Sequence, residues 1–123
     1  MTYLAISIGA VLGANARFIL GGWVADRLGA GFPYGTLIIN VTGSFLIGIV
    51  LTIATERAIV PSWWQPALAI GFLGSYTTFS TFSYETLSLV GAGSFAAAGV
   101  NIAASLAGAL VGVYLGTVVG RLV

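Results

Sequence analysis

Apolar residues run through this sequence in long blocks, and the few charges that divide them fall at regular distances. Arg17, Asp26, Arg27, Glu56, Arg57, Glu85 and Arg121 leave uncharged stretches at 1–16, 28–55, 58–84 and 86–120. Crossing a hydrocarbon core of about 30 Å takes roughly 20 mostly apolar helical residues. Three stretches exceed that length, and the first reaches it with Arg17 inside. The pattern predicts an all-α polytopic membrane protein with helices at about 3–25, 34–55, 64–90 and 94–120. The connections are short: "DRLGAGFP" (26–33), "ERAIVPS" (56–62) and "GAG" (91–93), with glycine and proline as breakers. Tyr3, Trp23, Tyr34, Trp63 and Trp64 fall near the expected ends, where amphipathic rings prefer the headgroup region. Residues 1–123 read as a single four-helix transmembrane domain, with the lipid bilayer as its solvent.

Composition narrows the function. Charged residues make up 6% of the 123, against about 25% in a soluble domain. There is no cysteine and no histidine. Disulfides, thiolate nucleophiles, Cys/His metal sites and histidine proton relays are therefore excluded. A net charge of +1 offers no basic surface for nucleic acid. The N-terminus lacks the Lys or Arg of a signal peptide and is read as a span.

Glycines are ordered. Gly108, Gly112, Gly116 and Gly120 recur every four residues in the last helix, as Gly9 and Gly13 do in the first. Such faces let helix backbones approach closely in lipid. Packing within the chain accounts for them, and so does association between chains, which four short helices with little interior would favour. Orientation is weakly specified. Arg57 and Arg121 lie on the side of the N-terminus, Arg27 on the other. So small a bias predicts insertion both ways and an antiparallel pair of identical chains.

Polar side chains inside the spans form stripes. Thr36, Asn40 and Ser44 share one face of the second helix, and Asn101 and Ser105 one face of the fourth. Convergent stripes fit either an ion path or interhelical hydrogen bonds. The stretch "GFLGSYTT" in the third helix brings glycines and then consecutive hydroxyls that compete for backbone bonds. It fits a helix interrupted at depth, whose carbonyls then need other partners, or a continuous helix with its hydroxyls bonded to i−4 carbonyls. Phe79 and Phe82, three apart, share a face with Glu85. Ring edges carry partial positive charge and can meet a small anion, and Asn40 adds amide donors. Glu85 is a snorkelling helix-end carboxylate, one bonded to nearby hydroxyls, or a protonated one. Arg17 attracts ions in a vestibule or anchors its helix at the interface. Asn15 is assigned to helix packing.

Together these residues resemble the Fluc (CrcB) family of fluoride channels. "GTLIINVTGSFLIG" (35–48) resembles its second-helix signature, "GFLGSYTTFSTFSYE" (71–85) its third, and "GANAR" (13–17) its first-helix Gly-x-x-x-Arg element. Length and four-span layout agree throughout. The resemblance implies a passive fluoride channel in the prokaryotic inner cell membrane, exporting the ion that entering HF releases. It implies a dual-topology antiparallel homodimer with two pores at the interface and a third helix broken mid-membrane. Phe79 and Phe82 would present ring edges to fluoride, with Asn40, Ser80 and Thr81 lining or supporting the pore. Glu85, Asn101 and Ser105 would form a polar track, and Arg17 would face the vestibule. A structural sodium ion at the dimer centre would rest on backbone carbonyls of Gly74 and Thr77.

Two departures weaken the correspondence. Ser75 stands where the family commonly has a second glycine. Asn101 and Ala109 replace the Tyr or His and the hydroxyl usual in its fourth-helix track. Two other functions compete. A proton-coupled exporter of the small multidrug type would need a deep carboxylate in the first helix, where Arg17 stands instead. A non-conducting assembly subunit would use the glycine faces. No nucleophile–base pair or metal set suits an enzyme.

Overall fold

The computed structural model describes residues 1–56 and 60–123. The orientation argument placed on Arg57 lies outside the described residues. Among them every regular element is helical. Helix α1 spans Thr2–Leu28, α2 Tyr34–Glu56, and α5 Phe95–Leu122. Their 27, 23 and 28 residues are long and apolar enough to cross a membrane. Between α2 and α5 the chain is divided. A π-helical segment covers Pro66–Leu73, α3 covers Gly74–Tyr76 and α4 covers Phe79–Gly91. Thr77 and Thr78 between them are extended, at φ −80°, ψ 160° and φ −154°, ψ 115°.

Local chemistry sets the ends. Pro66 opens the π-helical segment, where its missing N–H costs nothing. Gly29 closes α1 at φ 80°, its amide bonded to the Ala25 carbonyl at 2.9 Å. Thr78 caps α4, its hydroxyl accepting from the Thr81 amide at 3.2 Å.

Two glycine seams join the helices. A Cβ at Gly13 would fall on the Phe72 carbonyl oxygen, and one at Gly9 on the Ala67 carbonyl oxygen. Helix α1 thus lies backbone to backbone against the π-helical segment, whose coil is wider than an α-helix. On the other side, Gly112 and Gly116 of α5 meet the backbone of Val41 and Phe45 in α2, and Gly120 meets Ile49 and Thr52. Of the two readings of these faces, the structure bears out packing within the chain. The partners belong to the same chain, so the seams are intramolecular. Asn15 is corrected: its amide donates to its own Val11 carbonyl at 2.7 Å and it is exposed.

The small core lies where α2 meets the divided segment. Ile39, Leu73 and Tyr76 are buried there against Ala16, Leu20, Ile47, Val50 and Phe72. The Tyr76 hydroxyl meets Thr42 Oγ1 at 2.8 Å. Outside it, Phe18, Ile19, Leu110 and Tyr114 point away from the protein, as side chains solvated by lipid do. Helix α4 sits on α5 and touches α2 lightly; the rest of its surface is uncovered.

Candidate functional site

The site grows from the two extended residues. Thr78 is held by Asn40 at two points. Its amide donates to Asn40 Oδ1 at 2.8 Å, and its carbonyl accepts from Asn40 Nδ2 at 3.0 Å. One side chain of α2 so replaces both bonds that a continuing helix would supply. In an uninterrupted α-helix the Thr78 amide would bond the Gly74 carbonyl, and the Thr81 amide the Thr77 carbonyl. Both amides are diverted here, to Asn40 and to the Thr78 hydroxyl. The carbonyls of Gly74 and Thr77 lose those partners together. Thr77 bonds back to the Leu73 carbonyl through amide and hydroxyl, at 3.0 and 2.9 Å.

The two rings follow at once. Phe79 and Phe82 have centroids 5.5 Å apart and planes tilted by 46°. Phe82 is 9% exposed and Phe79 is 75% exposed. The first faces the protein; the second stands at its surface. One turn further, Glu85 Oε1 accepts from Thr36 Oγ1 at 2.9 Å. Next to it Thr86 Oγ1 donates to the Phe82 carbonyl at 2.7 Å and accepts from Asn101 Nδ2 at 2.9 Å. Asn101 is 1% exposed. Two buried polar atoms have no partner among the described residues, Glu85 Oε2 and Ser105 Oγ.

Two cavities flank the break. The smaller, about 300 Å³, is lined by Asn40, Ser44, Thr77, Phe79, Phe82 and Ser105 among others. The larger, about 980 Å³, holds Arg17, Thr36, Thr81, Glu85 and Ser88 in its lining. Thr78 borders both. Among the described residues Arg17 makes no ion pair, whereas Arg121 pairs with Glu56 at 3.1 Å where α5 and α2 end. The arrangement offers donors, ring edges and an unpaired hydroxyl along one cleft, with a lone cation in the wider cavity. It is suited to passing a small ion, not to breaking a bond.

A family profile described as CrcB-like protein, Camphor Resistance (CrcB), matches residues 4–117. The chain belongs to the CrcB family. Individual relatives of this CrcB chain are similar over nearly their whole length. A protein of Roseiflexus sp. named fluoride-specific ion channel FluC is 48% identical, with 98% of each chain covered. Its namesakes in Acidobacterium capsulatum and Geobacter metallireducens are 47% and 46% identical, with 98% of this chain and 97% and 98% of theirs covered.

Within the CrcB chain the residues singled out in the sequence divide between the cavities. Asn40, Phe79, Phe82, Ser105, Gly74 and Thr77 border the smaller one, and Arg17, Thr81 and Glu85 the larger. Ser80 borders neither; it is exposed, its hydroxyl 3.3 Å from that of Thr78. Asn101 borders neither and is engaged by Thr86. The α2 stripe of Thr36, Asn40 and Ser44 does converge on the divided segment. Thr86 was missed by sequence reasoning. Its i+4 spacing from Phe82 was a signal, but an ordinary one until Asn101 is seen beside it.

Proposed function

We propose that this chain forms a passive, fluoride-selective channel of the prokaryotic inner cell membrane, assembled as an antiparallel pair of identical chains. It is a transport protein, not an enzyme. Relatives covering nearly the whole chain carry the name fluoride-specific ion channel. The observation that carries the reading in this chain is the smaller cleft. It lays Phe79 and Phe82 beside Asn40 and the unpaired Ser105 hydroxyl. A fluoride ion must shed water to enter such a space. Ring edges give it a dry, weakly positive lining. Asn40 uses one N–H on Thr78, and an amide carries two, so the second is free to donate to the ion. Ser105 Oγ–H is a second donor without another duty. Arg17 draws anions into the wider cavity, and Glu85 is turned to Thr36.

The third crossing in this reading is the divided segment itself, broken near mid-bilayer. Eight π-helical and three α-helical residues precede the break and thirteen follow it. With α1, α2 and α5 it completes a single transmembrane domain. The exposed Phe79, Tyr84 and Leu87 of α4 lie against the inverted copy, which closes two pores. The Gly74 and Thr77 carbonyls, freed by the diverted amides, fit a sodium ion at the centre of the pair. Their doubling by the partner supplies the hard oxygen donors that a small cation takes. The ion would contribute fixed charge and cross-linking there.

The test is fluoride-electrode recording from liposomes holding the purified protein. Rapid, voltage-driven fluoride loss with chloride retained is expected. A proton flux that depends on an added drug, without fluoride flux, would overturn the reading.

A further inference from the structure

Helix α4 carries both rings but makes few contacts with its neighbours, so something must fix its rotation. Among the described residues only two side-chain hydrogen bonds join its body to other elements. Glu85 is bonded by Thr36 of α2, and Thr86 by Asn101 of α5. These are adjacent residues held from two different sides. They are also the third and fourth residues after Phe82. At 3.6 residues per turn they lie about 60° to one side of its azimuth and about 40° to the other. The two ties therefore bracket Phe82. Both ties are half-buried, and the Thr86 tie is the better shielded, since its partner Asn101 is 1% exposed. Its hydroxyl is in the middle of a chain of bonds running from Asn101 Nδ2 to Thr86 Oγ1 to the Phe82 carbonyl.

We propose that Thr86 is a positioning residue for the ring pair, bracing α4 against α5 so that Phe82 faces the cleft. This rests on the channel reading and deepens it. Thr86 lines neither of the two cavities that flank the break, so it acts through Phe82 and not on the ion. Asn101 then belongs to the brace and not to the polar track, which leaves Ser105 as the buried α5 hydroxyl that meets the ion. The chemistry of the brace needs a group that accepts one hydrogen bond and donates another. A hydroxyl does both; a methyl of the same size does neither.

The experiment compares Thr86→Val with Thr86→Ser in liposomes, and places 4-fluorophenylalanine at position 82 as a reporter. Valine keeps the volume and deletes the hydroxyl, and the buried Asn101 donor is left unpaired. Fluoride efflux should fall about tenfold, the equivalent of one such bond, with the parental elution profile. Serine should restore efflux to within about twofold of the parent. The fluorine spectrum should broaden or split in Thr86→Val and return to the parental line in Thr86→Ser. Where Thr86→Val does not elute as the parent does, Thr86→Ala carries the same comparison. Parental efflux and spectrum in the hydroxyl-free variant would overturn the brace, as would a serine variant as slow as the valine one. A parent that passes no fluoride would sink the channel reading alone, because the ring spectrum still decides the role of Thr86.

Discussion

Phe79 and Phe82 stand one turn apart yet meet different surroundings, one at the surface and one packed inside. If ring edges receive the ion, shape alone cannot replace them. Phe79→Ile and Phe82→Ile keep much of the apolar volume, at a packing cost of under about 1.5 kcal/mol, but carry no quadrupole. Each should suppress fluoride efflux more than it alters the elution profile. Normal efflux from both variants would mean the rings only pack. Asn40 has the opposite balance, because its amide holds the Thr78 peptide at both ends. Asn40→Leu leaves a peptide N–H and C=O without partners, at about 1–3 kcal/mol for each group that stays dry. Thermal unfolding in detergent should show a larger loss for Asn40→Leu than for Phe82→Ile. An equal or smaller loss would place the clasp outside the stability of the fold.

At the level of elements, the glycine seams set what can be changed. A Cβ at Gly116 would fall on the Phe45 carbonyl oxygen, whereas one at Gly99 meets nothing within 4 Å. Gly116→Ala should cost about 1–3 kcal/mol through backbone displacement, and Gly99→Ala should be neutral or gain up to about 1 kcal/mol. A thermal melt of the two variants checks the ranking, and equal melting points would contradict the seam. The same seams show where sequence reading stops. Helix ends were legible because Gly29, Gly31 and Pro33 act locally, and α1, α2 and α5 begin and end within three residues of the expected limits. The small-residue faces were legible as faces. Which surface they meet was not, since Gly13 finds Phe72 far along the chain. The two extended residues fall in the hydroxyl-rich stretch the sequence singles out, but Asn40, which holds Thr78, is 38 positions away. The π-helical register of Pro66–Leu73 has no local marker, because it goes with close packing on α1. Thr86 was hidden for the same reason: its partner is on another helix.

For the whole molecule, two expected outcomes concern assembly. Arg27 and Arg121 close opposite ends of the chain's bundle, and the second is paired with Glu56. With so little bias toward one side, a terminal tag mapped in intact cells should be accessible on about half of the chains. Uniform labelling would reject dual topology. The sodium ion is tested by efflux after complete sodium removal on both sides of the membrane. Loss of flux, recovered on adding sodium back, is the expected result. Unchanged flux would remove the ion from the assembly.

The two extended residues at Thr77 and Thr78 also have an electrostatic consequence. Aligned peptide dipoles leave about half a positive charge at a helix N-terminus and half a negative charge at its C-terminus. In one continuous helix the facing ends would cancel at every turn. Separating Tyr76 from Phe79 by two non-helical residues leaves a negative end and a positive end a few residues apart, between the two cavities that Thr78 borders. The carbonyl end attracts a cation and the amide end attracts an anion. In the proposed channel a neutral stretch of backbone would thereby tell ions apart by sign, without placing one charged side chain at the break.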